Sequence, residues 1–442
     1  MYKRIVDYIK DKKIAILGFG KEGKSTYKLI RKYLPEKKIV VLDQNENSIN
    51  DLNDNKLELI SNNYLDKLND YDLIIKTPGI SLINRKYDTE ITSQFDLLLR
   101  FTNVKLIGVT GTKGKSTTSS LIYQIIKDQI ENTFYVGNIG IPVFDYIEEF
   151  NEESLIVAEM SAHQLYDLKN SPFIGIILNL FPEHLDYFNT LENYYSAKLN
   201  MFRYQNVEDY ALYYDKNTSL NNLVQELKIE STKILISEDN IINDEVVFDN
   251  KEIYDFKKGQ KLEGLFNKID IVFALKVADI LNLNLDKCEK VIREFKTLPH
   301  RMECIGVFKE IYFYDDTLAT IPDATINSVN SLGNVDTLII GGMDRGIGYD
   351  NFIKKLADTN ISNIICQPET GLYIYQKLSE LNLNKSIYYL ETMEEAVKKA
   401  YEITKKGKSC LLSPSAPSYN IYKNYEEKSK DYIDCVKKYS LH

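Results

Sequence analysis

Histidine and cysteine are both scarce in this chain of 442 residues, with four of the first and five of the second. Cys288, Cys304, Cys366, Cys410 and Cys435 are widely spaced and form no CxxC pair. That excludes a zinc ribbon, a dithiol redox motif and a disulfide framework, and leaves thiols expected to be reduced and buried. No apolar run approaches the roughly 18 residues that a membrane-spanning helix needs. There is no long run of Lys or Arg, and the net charge of -9 argues against a nucleic-acid partner. The opening stretch MYKRIVDYIKDKK is charged throughout and lacks the apolar centre of a secretory leader. Low-complexity linkers are absent too, so short hinges are expected between domains. The expectation is a soluble cytoplasmic protein, monomeric, with no membrane partner.

What is present is a repeated alternation of strand and helix, read from apolar runs of four to eight residues between helical stretches. Three blocks emerge, each α/β with a mainly parallel sheet: 1–97, 98–298 and 299–442. The first opens on KKIAILGFGKEGKS, the second carries LIGVTGTKGKSTTSS, and the third runs through IYFYDD, TLIIGG, NIIC, IYYLE and SCLLSP.

GFGKEG, with Gly18, Gly20 and Gly23, follows a strand and opens a helix, and Asp43 ends the next strand. Such a turn brings helix N–H groups to a pyrophosphate, which NAD and a UDP-sugar both carry, so the motif leaves the nucleotide open. A βα turn that merely needs its glycines reads the same way. GTKGKST is more specific: Gly111, Thr112, Lys113, Gly114, Lys115, Ser116 and Thr117 form a strand–loop–helix phosphate cradle. Lys115 supplies charge for the β/γ-phosphates and Ser116 a hydroxyl for Mg²⁺. The usual first glycine of a phosphate loop would fall on Val109, and the early glycine is Gly111 instead.

Glu159 ends one apolar strand and His184 follows the next, so a parallel sheet delivers both to the edge that holds the phosphate loop. Glu159 can then complete a Mg²⁺ site with Ser116; a capping role at the sheet edge is the plainer alternative. Lys198 lies in an apolar and aromatic helix, as either a snorkelling lysine or a partly buried reactive amine. In the third block, Asp315 and Asp316 end a strand, GGMDRG carries Arg345 in a glycine-rich turn, and Ser418 precedes a helix. These turns suit an anion, a guanidinium gripping a carboxylate in paired hydrogen bonds, and each taken singly reads equally as a surface turn with a solvated charge.

Taken in order, GFGKEG, TPG (Thr77–Gly79), GTKGKST, GNIG (Gly137–Gly140), EMSAHQL, LNLFPEHLD, AKL, LPHR, the DDxxAT turn, GGMDRG and LLSPSAPS resemble the Mur ligases across essentially the whole chain. Within that family the resemblance is to members that join glutamate to UDP-N-acetylmuramoyl-L-alanine. It implies a Rossmann-like UDP-binding first domain, a central ATP-binding domain, and a Rossmann-like third domain that binds the amino acid. It also implies ATP and Mg²⁺ as cofactors, a role in peptidoglycan synthesis, and an acyl-phosphate intermediate attacked by the incoming amine.

Residue by residue, the resemblance implies that Lys115, His184 and Lys198 are catalytic. Ser116, Glu159, His184 and a carbamylated Lys198 hold metal, and Asn267, Arg301 and Asp316 join the loop in binding ATP. Gly18, Gly20, Asp43, Thr77, Asn138, Ser161 and Gln164 contact the UDP-substrate, and Thr320, Arg345, Ser418 and Tyr425 the amino acid. The sequence departs from the family at Phe266, where a histidine is common, and at Leu318 and Arg345, where lysines are usual. The last two leave D- and L-glutamate both open. A folylpolyglutamate synthase-like ligase would lack the UDP-binding block from Lys13 to Gly79. A nucleotide-binding protein that had lost its chemistry would have no need to keep Lys115, Glu159, His184 and Lys198 together.

Overall fold

The structure, a computed structural model, describes residues 2–112, 114–137, 141–181, 185–242, 245–248, 251–255, 265–295, 300–344, 346, 348–381 and 383–440. The chain divides into two compact units, Met1–Lys257 with Asn267–Glu294, and Lys258–Phe266 with Phe295–His442.

Among the described residues, the first unit holds three sheets. Strands β1 (Ile14–Leu17), β2 (Ile39–Leu42), β3 (Leu57–Ile60), β4 (Leu73–Lys76) and β5 (Glu90–Thr92) pair in the order β3-β2-β1-β4-β5, all parallel. The apolar runs IAIL, IVVL and LIIK are buried along their whole length, because helices cover both faces of a parallel sheet. The strand order reverses between β1 and β4, the place where such sheets open a crevice for ligands. Gly18 turns out of β1 with φ +89°, and a side chain there would meet the Thr77 hydroxyl at 2.1 Å. A Cβ at Gly23 would lie 2.2 Å from the Gly18 carbonyl oxygen, so the helix Lys21–Tyr33 can approach β1 only with glycine there. Gly23→Ala is expected to lift that helix and cost about 1–3 kcal/mol, the range for overpacking. Chemical denaturation would check it, and unchanged stability would refute the close approach.

The second sheet comprises β6 (Lys105–Thr110), β7 (Thr133–Gly137), β8 (Leu155–Glu159), β9 (Ile174–Ile177), β10 (Tyr210–Tyr214) and β11 (Thr232–Ile236). Its order is β11-β10-β9-β6-β8-β7, again all parallel, so β6, β8 and β9 end at one edge. Gly108 and Gly175 pair across β6 and β9. Side chains there would strike Met201 and Pro172, so the two glycines let the helix Leu191–Arg203 lie close on the sheet. That close approach carries Lys198 to the phosphate loop. One buried cluster runs from Ile16 and Val41 of the first sheet through Leu97 to Leu106 of the second and Met201 on the helix packed against it.

A third, antiparallel sheet of β12 (Ile241–Ile242), β13 (Glu245–Phe248) and β14 (Lys251–Asp255) is not anticipated by the sequence. Its strands are short, and Asp, Asn and Glu interrupt the apolar residues.

The second unit is a six-stranded sheet of β15 (Glu303–Phe308), β16 (Ile311–Asp315), β17 (Val335–Ile340), β18 (Asn363–Cys366), β19 (Ser386–Tyr389) and β20 (Ser409–Leu412). The order is β15-β16-β20-β17-β18-β19, with an antiparallel β15 at one edge of an otherwise parallel sheet. All five cysteines are free, and four are buried as expected. Cys304 corrects that expectation: it is exposed, because it lies on the edge strand β15, which is covered incompletely. No helix among the described residues is long and apolar enough to cross a membrane.

Candidate active site

The phosphate loop lies at the end of β6, between the ends of β8 and β9. Gly114 has φ +83° and caps the helix Lys115–Gln129, whose first turn presents backbone N–H groups to an anion. The Lys115 ammonium donates to the carbonyls of Gly111 (3.0 Å) and Thr112 (3.2 Å). Lys198 reaches the same oxygen, donating to Gly111 O at 2.9 Å and to Thr110 Oγ1 at 3.2 Å. Two ammonium groups thus converge on one carbonyl. Lys198 is 2% exposed, which rules out the snorkelling alternative.

Ser116 donates to Glu159 Oε2 at 2.6 Å, and both side chains are buried. Glu159 therefore does more than cap the sheet edge: it is paired with the loop. An all-oxygen donor set of this kind suits a hard divalent cation. Thr112 is tied to Phe181 N (2.9 Å) and Tyr194 Oη (3.2 Å), which fixes the loop against the helix that carries Lys198. Thr117 is half-buried on the following turn. Lys113, His184 and Asn138 lie outside the described residues, as does the side chain of Asn267.

At the switch point of the first sheet, Gly18, Gly20, Asp43 and Thr77 line one cavity of about 520 Å³ with Glu22 and Tyr64. The four residues expected there from sequence are brought together. Asp43 accepts from Phe19 N at 2.6 Å and Asn45 N at 2.8 Å, so its carboxylate shapes the turns around the cavity. Ser161 caps a short helix and shares a capping box with Gln164. The far end of the Gln164 amide donates to Glu22 Oε1 at 2.7 Å, which links the second sheet to the cavity in the first. Burial pushes the Glu22 carboxyl up from its ordinary range. Sequence reasoning missed Glu22, whose partner is far away in the chain.

In the second unit, Asp316 lies beyond the end of β16, 5% exposed, and accepts from Ser328 (2.6 Å), Ser413 (2.8 Å) and Met302 N (3.2 Å). Burial raises it to about 6 against those donors and the charge of Arg301. The preceding residue, Asp315, holds His300 Nδ1 at 2.9 Å and packs against Ser429. Tyr425 stands edge-on to the His300 ring, 5.6 Å between centroids. Thr320 is half-buried in the turn that follows, where the Leu318 N–H donates to His300 O. Ser418 is 2% exposed, and its buried hydroxyl has no hydrogen-bond partner among the described residues. Gly342 meets the Pro417 carbonyl so closely that a Cβ would lie 2.4 Å from it, which docks the GGMDRG turn on the loop ending at Ser418. Arg345 itself lies outside the described residues. Lys428, unremarked in the sequence, is buried and donates to Gly341 O at 2.6 Å, holding that turn from below.

Residues 109–283 match the Mur ligase middle domain. The UDP-N-acetylmuramoylalanine–D-glutamate ligase of Clostridioides difficile (strain 630) is 32% identical, covering 97% of this chain and 99% of its own. The enzyme of the same name from Clostridium botulinum (strain Loch Maree / Type A3) is 31% identical over 98% of each. Among solved structures, MurF ligase from Thermotoga maritima in complex with ADP superposes with a TM-score of 0.58 at 16% identity, over 98% of this chain and 97% of that one. UDP-N-acetylmuramate-alanine ligase MurC from Thermotoga maritima gives 0.54 at 20% identity, over 97% and 100%. These two share the fold. Given the identity to the clostridial enzymes over nearly the full length of both chains, the chain belongs to the Mur ligase family and is an ATP-dependent ligase.

Proposed function

We propose that this enzyme joins glutamate, D-glutamate by default, to UDP-N-acetylmuramoyl-L-alanine in the cytoplasmic stage of peptidoglycan synthesis. The observation that carries this reading is the convergence of Lys115 and Lys198 on the Gly111 carbonyl, beside the Ser116–Glu159 pair at the end of β8. That arrangement places positive charge and oxygen ligands where a nucleotide triphosphate must be neutralised and aligned. The names of the clostridial relatives support the substrate.

The division of labour follows three domains, 1–97, 98–298 and 299–442. The cavity at the first switch point takes the UDP moiety on Gly18, Gly20, Asp43 and Thr77. Ser161 and Gln164, with Asn138, meet the muramoyl part. The loop and Asn267 hold ATP, and Arg301 and Asp316 complete its binding. Ser116 and Glu159 would hold a first Mg²⁺, and His184, with Lys198 if it is carbamylated, a second; the ions would neutralise charge on the phosphates. Thr320, Arg345, Ser418 and Tyr425 hold the amino acid. In the reaction, a carboxylate oxygen of the muramoyl substrate attacks the γ-phosphorus and ADP leaves. The amine nitrogen of glutamate then attacks the acyl carbon, inorganic phosphate departs, and the amine proton is lost. The residues act by alignment and charge neutralisation.

The stereochemistry has a second reading in Leu318. A lysine is usual there, and its absence changes how the amino acid's carboxylate is held. Phosphate release is to be measured with ATP, Mg²⁺ and UDP-N-acetylmuramoyl-L-alanine, with D- or L-glutamate in parallel and product masses determined. Release with D-glutamate is the expected result. Release with L-glutamate alone moves the enzyme to the other stereochemistry, and release with neither overturns the substrate.

A further inference from the structure

Asp270 sits on the helix Leu265–Ile280, 5% exposed, with its carboxylate turned onto the phosphate loop. Thr118, on the first turn of the helix after the loop, donates to its Oδ1 at 2.7 Å. A Cβ on Gly114 would lie 3.2 Å from that oxygen and 3.8 Å from Oδ2, so both carboxylate oxygens face the glycine that opens the helix. Gly114 and Thr118 face Asp270, and the Leu178 side chain just beyond β9 reaches the same glycine. Lys115, the charged residue between Gly114 and Ser116, points its ammonium at Gly111 and Thr112, and Lys268 lies on Asp270's own helix. Burial raises Asp270 to about 7, the Thr118 hydroxyl opposing it, and no charged side chain among the described residues contributes.

An acidic group beside a phosphate cradle is a conflict of charge. A carboxylate in low dielectric, with a hydroxyl as its donor, is repelled by the phosphates that the loop exists to hold. The conflict disappears if the group becomes a neutral acid. It keeps its contact with Thr118 in that form, because its unprotonated oxygen can still accept.

We propose that Asp270 is a further positioning residue of the nucleotide site, which anchors the phosphate-loop helix and takes up a proton from solvent when the phosphates of ATP enter. The proposal rests on the reading that this loop holds ATP. The step balances simply: one carboxylate and one solvent proton become one carboxylic acid. Its direction follows from linkage. Well below the free-state value Asp270 is already neutral, and binding takes up nothing there. Above it the group is ionised in the free enzyme, and binding must draw in a proton, so ATP affinity falls as pH rises.

The test is calorimetric titration of the full-length protein with Mg·ATP alone, without the acyl substrate, in buffers of different ionisation enthalpy at pH 6 and pH 8. Running wild type beside Asp270→Asn cancels the proton exchange of the nucleotide itself. Asparagine keeps an acceptor for Thr118, and thermal melting verifies the fold. The expected excess uptake of wild type over variant is near zero at pH 6 and on the order of half a proton per ATP at pH 8. Should the variant not fold, wild type alone still discriminates at pH 8, since Mg·ATP is fully ionised there and has no proton of its own to exchange. Equal uptake by both proteins at pH 8, with ATP bound, overturns the role of Asp270 and leaves the nucleotide reading intact. Absence of ATP binding overturns both.

Discussion

Lys198→Ala should lower substrate-dependent phosphate release on the order of 10² to 10³-fold, the scale on which one buried electrostatic contact to a reacting centre acts. The side chain has no solvent-facing role to fall back on. It is buried, and its nitrogen is committed to Gly111 and Thr110 within the loop. Lys198→Met separates the two functions of the residue, keeping an unbranched apolar stem while removing the ammonium, which stands 5.1 Å over the Tyr194 ring. If the working form is the carbamate, the amine has added to CO₂ with loss of a proton, and a cation has become an anionic metal ligand. Formate or acetate added to the alanine variant should then restore part of the rate, because the cavity left by the carbamate admits a small carboxylate. Absence of rescue removes the carbamate and leaves an ammonium acting on the phosphates. Full activity in both variants would sink any catalytic role.

The elements that bring Lys198 to the loop show how far sequence could reach. GTKGKST is local: its glycines, lysine and hydroxyls lie within seven residues, and the strand before and helix after it are strongly patterned. The apolar strands β1, β2, β4, β6, β8 and β17 were legible for the same reason, since both of their faces are buried. Glu159 was legible as the end of such a strand. The edge strand β15 was not, because it is half solvated and its apolar residues do not form a run. That edge position also exposes Cys304. Whether Lys198 is buried could not be read at all, because it depends on Gly108 and Gly175, two small residues on other strands that let its helix approach. The Gln164–Glu22 contact and the Thr118–Asp270 contact join side chains 142 and 152 residues apart, respectively. No periodicity or spacing encodes such pairs; topology alone brings them together.

The same holds for the pair with the largest expected effect on stability. Lys76 ends β4 with its side chain fully buried, and donates to Asp167 at 2.8 Å and to the Tyr187 hydroxyl at 3.2 Å. The Tyr187 hydroxyl donates to Ile80 O at 2.8 Å, and its carbonyl accepts from Ser81 (3.0 Å). The network thus ties the loop after β4, which forms one wall of the first cavity, to segments that follow β8 and β9. Lys76→Met keeps the length and apolar stem but leaves Asp167 buried without its cation. A buried charge stripped of its partner costs about 3–5 kcal/mol, so the variant should melt well below wild type. Asp167→Leu strands the lysine and should cost a similar amount. The double variant Lys76→Met/Asp167→Leu removes both charges and should recover much of the loss, since the desolvation cost of the pair largely offsets its attraction. If the two single losses simply add in the double variant, the buried pair is not the source of the coupling, and the contacts of Tyr187 carry that seam instead.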